Sequence, residues 1–265
     1  MKIDNQVPEY KRELISEKKN EYAICIFVIN EGEKIRKQLR AMAKYSNEVD
    51  IIIADGGSSD GSLDGGILEE CRVTTLLTKT GDGKLSAQMR MAFAWCMEQG
   101  YRGIITIDGN GKDGIDAIPT FVKLLKEGFD HIQGSRFIPG GFHVNTPLSR
   151  YLGLKVLHAP LISLAAGFRY TDTTNGFRGY SRIFLLDPRV QPFRDCFSNY
   201  ELHYYLAIRA ARLKFKCIEA PVSRVYPKGK VPTKIKGLKG NVDVLMTLAT
   251  ACISGYNPNI RKRKE

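Results

Sequence analysis

Three short apolar runs, each stopping at a charged or amide side chain and each leading into a different kind of segment, limit most tightly what this chain can fold into. They cover residues 22–29, ending at Asn30 and Glu31; 49–54, ending at Asp55; and 103–107, ending at Asp108. Val49, Ile51, Ile52 and Ile53 in one run and Ile104, Ile105 and Ile107 in another are β-branched, which predicts buried strands. Between the runs, Ile35, Leu39, Met42 and Ala43 recur at helical spacing, as do Leu85, Met89, Ala92, Phe93 and Cys96 over 84–99. A shorter run at 73–77 supplies a further strand. Strands and helices alternating over such short connections require parallel β-α-β units. The expected fold is therefore α/β: a single domain whose mostly parallel sheet carries helices on both faces.

Open α/β sheets bind ligands outside the carboxyl ends of their strands, so Asp55 and Asp108 are expected at one functional edge. Asp108, Asn110 and Asp113 are hard oxygen donors of the type Mg2+ or Mn2+ takes when it also holds phosphate. The same Asp-Gly and Asn-Gly steps are common turn dipeptides, which is the competing reading. Gly56 and Gly57, followed by Ser58 and Ser59, form a loop that permits close backbone approach and helix capping. No G-x-G-x-x-G follows a strand and no P-loop motif occurs, which disfavours a dinucleotide or P-loop site.

Further along, 115–126 is amphipathic, and 131–133 begins a short strand that leads into Gly134-Ser135-Arg136-Phe137. Residues 140–145, with His143, read as a mobile loop, and 148–166 as one long apolar helix in which His158 is a packing residue. A polar turn ends in Phe177 and Arg178; a helix over 200–213 begins with Glu201; and 216–225 is a strand ending in Arg224. Gly and Pro punctuate a basic loop carrying Lys228, Lys230 and Lys234. The division expected is an extension at 1–20, the main domain at 21–236, and a C-terminal helix with a basic tail at 237–265.

The formal charge is +12, and residues 202–265 hold 14 Lys/Arg against 3 Asp/Glu, so nearly all the excess lies there. Such a gradient points to phosphates on a substrate, an anionic membrane surface, or nucleic acid. Aromatic residues do not interleave with the basic tail as a single-strand binder requires, so no nucleic acid partner is expected. The six cysteines show neither a C-x-x-C pair nor zinc spacing, and residues 1–20 have no apolar signal core, so a reduced, cytoplasmic setting is expected. No window reaches the roughly 18–20 apolar residues of a membrane span, which leaves peripheral contact with the cytoplasmic face of a membrane.

The order of these motifs resembles the inverting glycosyltransferases of family 2, which have the GT-A (Rossmann-like) fold, and within them the polyprenol (dolichol) phosphate hexose synthases. Ile26-Phe27-Val28-Ile29-Asn30-Glu31 stands where that family has I-P-x-Y-N-E, and residues 55–62 match its D-x-G-S-x-D-G-T loop. Asp108-Gly109-Asn110 occupies the D-x-D position, while 134–137 and 175–178 match G-S-R-F and [ST]-G-F-R. The resemblance implies a nucleotide-diphosphate sugar donor bound by Phe27, Ile29, Glu31, Asp55, Gly57, Lys84, Asp108, Gly109 and Asn110. It implies a divalent cation on Asp108, Asn110 and Asp113, and phosphate or acceptor contacts from Arg136, Arg178, Arg224, Lys228, Lys230 and Lys234. Asp108 and Arg136 would act at the reacting centre, with Glu201 as the general base. The acceptor would be a polyprenyl phosphate or a related lipid or glycan. Transfer to a sugar hydroxyl in cell-surface polysaccharide, a nucleotidyltransferase, and a non-enzymatic nucleic-acid or membrane-surface binder are the alternatives. Phe27 and Ile29 replace the family's Pro and Tyr, Asn110 replaces an Asp, and Lys112 stands beside them, so nucleotide base and metal reliance stay open.

Overall fold

The computed structural model describes residues 6–229 and 237–258. In chain order the elements are β1 (Tyr10–Leu14), β2 (Tyr22–Val28), α1 (Glu33–Met42), β3 (Asp50–Asp55), α2 (Ile67–Glu70), β4 (Val73–Lys79), α3 (Leu85–Glu98) and β5 (Gly103–Asp108). They continue with α4 (Ile118–Lys126), β6 (His131–Ser135), β7 (Phe142–Val144), α5 (Leu148–Leu152), α6 (Ala159–Ala166), β8 (Arg178–Ser181), α7 (Arg182–Leu186), α8 (Glu201–Arg212), β9 (Cys217–Pro221), β10 (Ser223–Val225) and α9 (Gly237–Cys252).

Eight strands form one sheet in the order β1-β4-β3-β2-β5-β8-β6-β9, and β7 pairs with β10 in a small second sheet. Within the large sheet only β1 and β8 run antiparallel to their neighbours. The two faces divide the side chains of each strand by the two-residue period of an extended chain. Ala23, Cys25 and Phe27 enter the layer under α3 and α8, while Ile24, Ile26 and Val28 enter the layer under α1 and α4. Burial on both faces explains why the central strands read as unbroken apolar runs.

Three expectations need correction. The extension at 1–20 contributes β1, a mostly exposed edge strand whose polar sequence, Tyr-Lys-Arg-Glu-Leu, carries no apolar pattern. The loop at 140–145 contains β7, held in register by β10. The strand read over 216–225 is broken at Val222 into β9 and β10, which belong to different sheets. The long helix over 148–166 is helical throughout, but Gly153–His158 winds as a π-helical turn between α5 and α6. Such turns often mark functional positions.

His131 lies wholly inside the core against Tyr170, Tyr180 and Phe184, and burial there lowers its pKa to about 3. An unfolded chain binds this proton near pH 6.5, so the stability His131 lends as a neutral ring is complete above that value. It is lost as the pH falls toward 3. Urea unfolding followed from pH 7 to pH 4 is expected to show falling stability, with a shallower fall in His131→Gln. Parallel curves for the two proteins would refute this assignment.

Candidate functional site

The C-terminal edge of the parallel strands opens onto a cavity of about 680 Å³. Its walls come from the end of β5 (Asp108), the segment after β6 (Arg136), the turn from Thr173 to Gly176, the π-helical segment, α8 (His203, Tyr204) with Tyr200 just before it, β10 with Tyr226, and α9 (Val244, Leu245). The turn is fixed from below, since Thr106 Oγ1 donates to Gly176 O at 2.7 Å and Glu219 accepts from the amides of Thr171 and Asp172 at 2.8 and 3.1 Å. Gly176 is required there: a Cβ would lie 2.9 Å from Asp108 Oδ1. Gly109 is constrained similarly, its Cβ position being 2.8 Å from Val28 Cγ2.

Of the residues expected to act together, Asp108, Arg136, Arg178 and Arg224 do line this cavity. Arg224 organises the acidic side. One of its terminal nitrogens, Nη1, donates to both oxygens of Asp113 at 2.6 Å, and Nη2 donates to Asp108 Oδ2 at 3.1 Å. Burial works against the charge on Arg224, but Asp113 and Asp108 outweigh it and hold the guanidinium protonated. Asp113 is therefore not positioned as a metal ligand; it is a buried counterion, and the expected three-residue metal set is corrected. Among the described residues no group of three His, Cys, Asp or Glu side chains forms a metal site. Asp108, partly exposed, and Asn110, whose amide donates to Asp108 Oδ2 at 3.2 Å, remain. One carboxylate and one carboxamide fit a hard cation that takes its other ligands from a diphosphate and water, the usual arrangement for Mg2+.

Arg136 is bidentate to buried Asp172, with Nε to Oδ2 at 2.6 Å and Nη2 to Oδ1 at 3.0 Å. Arg178, expected on a phosphate, is committed to the backbone: its nitrogens donate to Asn175 O, Thr173 O and His203 O at 3.0, 2.8 and 2.6 Å. It is a clamp between the turn and α8. Glu201 is buried and does not line the cavity; its carboxylate accepts from the amide of Asn199 at 2.6 Å, next to the N-terminus of α8. Two residues on, roughly half a turn round the helix, His203 faces the cavity instead, because Tyr200, His203 and Tyr204 lie three and four residues apart on one face.

The other expected donor contacts form a second cluster, outside the residues lining the cavity. Asp55 accepts from Gly57 N at 3.1 Å, Ser58 N at 3.0 Å and Ser58 Oγ at 2.6 Å. The loops carrying Glu31 and Gly57 are tied together by Asn30 N to Ser58 Oγ at 3.0 Å and Ser59 N to Asn30 Oδ1 at 2.8 Å. Asp55 is in register with Val28 and Asp108 with Phe27, residues of opposite layers, so the two carboxylates leave opposite faces of the sheet. They share the expected edge of the sheet but project from its two sides. Phe27 is buried in the core rather than offered to a ligand, while Ile29, Lys84 and Lys228 are exposed. Lys230 and Lys234 lie outside the described residues.

Sequence reasoning missed Thr173, His203, Tyr204, Tyr226 and Arg150 as cavity residues. Tyr226 is the most unusual of them: burial raises its phenol, but Arg224 and Arg136 overcome this and leave its pKa below the ordinary value. Only the spacing of Tyr200, His203 and Tyr204 carried a readable signal.

The family model for glycosyl transferase family 2 matches residues 23–186. An undecaprenyl-phosphate mannosyltransferase from Micrococcus luteus is 27% identical over 199 residues, covering 74% of this chain and 80% of that protein. A polyprenol monophosphomannose synthase from Mycolicibacterium smegmatis is 24% identical over 205 residues, covering 76% of each. Among solved structures, glucosyl-3-phosphoglycerate synthase from Mycobacterium tuberculosis, crystallised with Mn2+, UDP and glucosyl-3-phosphoglycerate, superposes with a TM-score of 0.60 at 15% identity, covering 90% of this chain and 81% of that one. No helix among the described residues is long and apolar enough to cross a membrane. With a GT-A sheet, a cavity at its carboxyl edge and a family match over most of its length, the chain belongs to glycosyl transferase family 2 and is a glycosyltransferase.

Proposed function

We propose that this glycosyltransferase moves a hexose, with inversion, from a nucleotide-diphosphate sugar to a polyprenyl phosphate. The observation that carries this reading is the charge on the cavity wall: among the described residues its lining includes four arginines, Arg136, Arg150, Arg178 and Arg224, and one carboxylate, Asp108, and of the four arginines Arg136 and Arg224 are ion-paired. A sugar hydroxyl needs a base to remove its proton, whereas a phosphate is already anionic at neutral pH. Glu201 is buried against Asn199, and His203 is held well below its usual pKa by burial, by Arg178 and by His131, which makes it a poor base. The favoured reaction is one in which a phosphate oxygen of the acceptor bonds to the anomeric carbon as the bond to the nucleoside diphosphate breaks. The leaving group keeps the electron pair, and no proton moves.

Asp108 and Asn110 would hold the divalent cation, which when bound neutralises charge on the departing diphosphate. Arg136 and Arg150 offer charge to the acceptor phosphate. Leu148, Leu152, Val156 and Leu164 are exposed on the helical stretch whose Ser149, Arg150, Leu154 and Leu157 line the cavity, and Phe142, Val225 and Met246 are exposed as well. Arg150, Lys155 and Arg169 accompany them, so an anionic bilayer fits this face and would present a lipid acceptor to the cavity.

Turnover of UDP-, GDP-, dTDP- and CDP-hexoses with an undecaprenyl phosphate acceptor in anionic vesicles tests the reading. Glu201→Gln is expected to keep turnover within about threefold, since no base is required. A loss of about 100-fold or more, the scale of lost general-base catalysis, would transfer the case to the sugar-hydroxyl acceptor. Leu152→Glu with Val156→Glu should slow transfer to the vesicle-borne acceptor and spare transfer to a short, water-soluble polyprenyl phosphate. Equal rates on both acceptors in that variant would argue against membrane contact through this face.

A further inference from the structure

The polar groups of the cavity fall into two classes. Of its charged side chains, Arg136 is matched by Asp172 and Arg224 by Asp113 and Asp108, and Arg178 is held by backbone carbonyls. Several neutral ones are not: Thr173 Oγ1, His203 Nδ1, Thr146 Oγ1 and His158 Nδ1 are buried without a hydrogen-bond partner, and all four residues line this one cavity. Buried polar groups in native proteins are nearly always hydrogen-bonded; ten side-chain atoms among the described residues are exceptions, and the four that belong to this one cavity's lining are those a ligand with hydroxyl groups of its own could satisfy.

Thr173 and His203 are the two whose placement is enforced. Arg178 donates to the carbonyl oxygens of both residues, at 2.8 and 2.6 Å, and so locks the turn to α8. Thr173 is almost completely buried, whereas His203 is partly exposed to the cavity. The ring of His203 is neutral at physiological pH, so it can donate from one nitrogen and accept at the other. The same turn carries Gly176, where an added Cβ would lie 2.9 Å from Asp108 Oδ1, so this wall adjoins the carboxylate at the end of β5.

We propose that Thr173 and His203, clamped by Arg178, form a hydroxyl-reading subsite for the hexose of the nucleotide sugar, and that they determine which hexose is accepted. The proposal deepens the glycosyl-transfer reading and rests on it for the identity of the ligand. A site built to hydrogen-bond a hydroxyl discriminates strongly against an analogue that lacks it, because the protein group is then left unpaired.

The test compares wild type, Thr173→Val and His203→Phe in the full chain, each checked for folding by circular dichroism. Binding of UDP, UDP-glucose, GDP and GDP-mannose is measured by calorimetry, and turnover is measured with the parent sugars and their 2-, 3-, 4- and 6-deoxy analogues. In wild type at least one nucleotide sugar should bind more tightly than its nucleoside diphosphate. Thr173→Val is expected to erase most of that gain, with nucleoside diphosphate affinity unchanged, and to lose at least tenfold of the discrimination against one deoxy analogue. Fully retained discrimination in both folded variants, or an equal loss toward every analogue, overturns the subsite while leaving glycosyl transfer intact. A hexose-dependent gain that Thr173→Val removes, in a protein that transfers no sugar, would instead sustain the subsite and remove the transfer reading. A wild type that binds no nucleotide sugar more tightly than its nucleoside diphosphate refutes the subsite outright. Should Thr173→Val fail to fold, Thr173→Ser with retained discrimination and His203→Gln with partial rescue relative to His203→Phe carry the same decision.

Discussion

Asp113→Ala should destabilise the fold by about 3–5 kcal/mol, the usual consequence of removing one partner from a buried ion pair. The Asp113 side chain is fully buried, and Arg224, only 10% exposed at its side chain, spends one nitrogen on both Asp113 oxygens. Without Asp113 the guanidinium keeps only Asp108 and stays enclosed, so the larger part of the loss comes from a buried cation rather than from the missing bonds. The double variant Asp113→Ala with Arg224→Met should recover much of it, because no uncompensated charge is left behind. Urea denaturation of the three proteins at pH 7 measures both effects. A single variant within 1 kcal/mol of wild type, or a double variant no more stable than the single, would show that the pair does not have this weight.

The same pair explains what was readable in the sequence and what was not. β2, β3 and β5 were legible because both faces of these strands are buried, which writes Ile, Val and Ala in continuous runs. α1 was legible for the opposite reason: Ile35, Leu39 and Met42 are buried among charges. β8 was not, because Arg-Gly-Tyr-Ser has no apolar run; it is a strand only because β5 and β6 flank it and supply hydrogen bonds on both sides. The site was half legible. Asp108 and Arg136 could be placed by lying at strand ends, but the state of a charge depends on its partner, and partners such as Asp113 and Arg224 stand far apart in sequence. Sequence position therefore marked Asp113 as a ligand and Arg178 as a phosphate contact, when one neutralises an arginine and the other holds backbone carbonyls. His203 was hidden by Glu201, the more conspicuous residue of the same turn, because only the rotation of α8 decides which of the two reaches the cavity.

Asp108→Ala is expected to lower kcat/KM for sugar transfer by about 10³ while leaving the protein folded, at the upper end of what removing one preorganised group from a transition-state charge site costs. The fold should survive because the Asp108 side chain is 28% exposed and Arg224 retains both oxygens of Asp113. The chemistry should not, since Asp108 is the carboxylate in the cavity lining and the stronger of the two donors left for a cation once Asp113 is engaged. Asn110→Asp supplies the converse test: adding a second carboxylate beside Asp108 should tighten cation binding and lower the Mn2+ concentration needed for half-maximal turnover. Initial rates over a Mn2+ series, after removal of bound metal with EDTA, measure both variants on one scale. If Asp108→Ala works at the wild-type rate, or if Asn110→Asp leaves the Mn2+ requirement unmoved, then the charge of the leaving diphosphate is borne by the arginines alone, and Asp108 serves chiefly to orient Arg224.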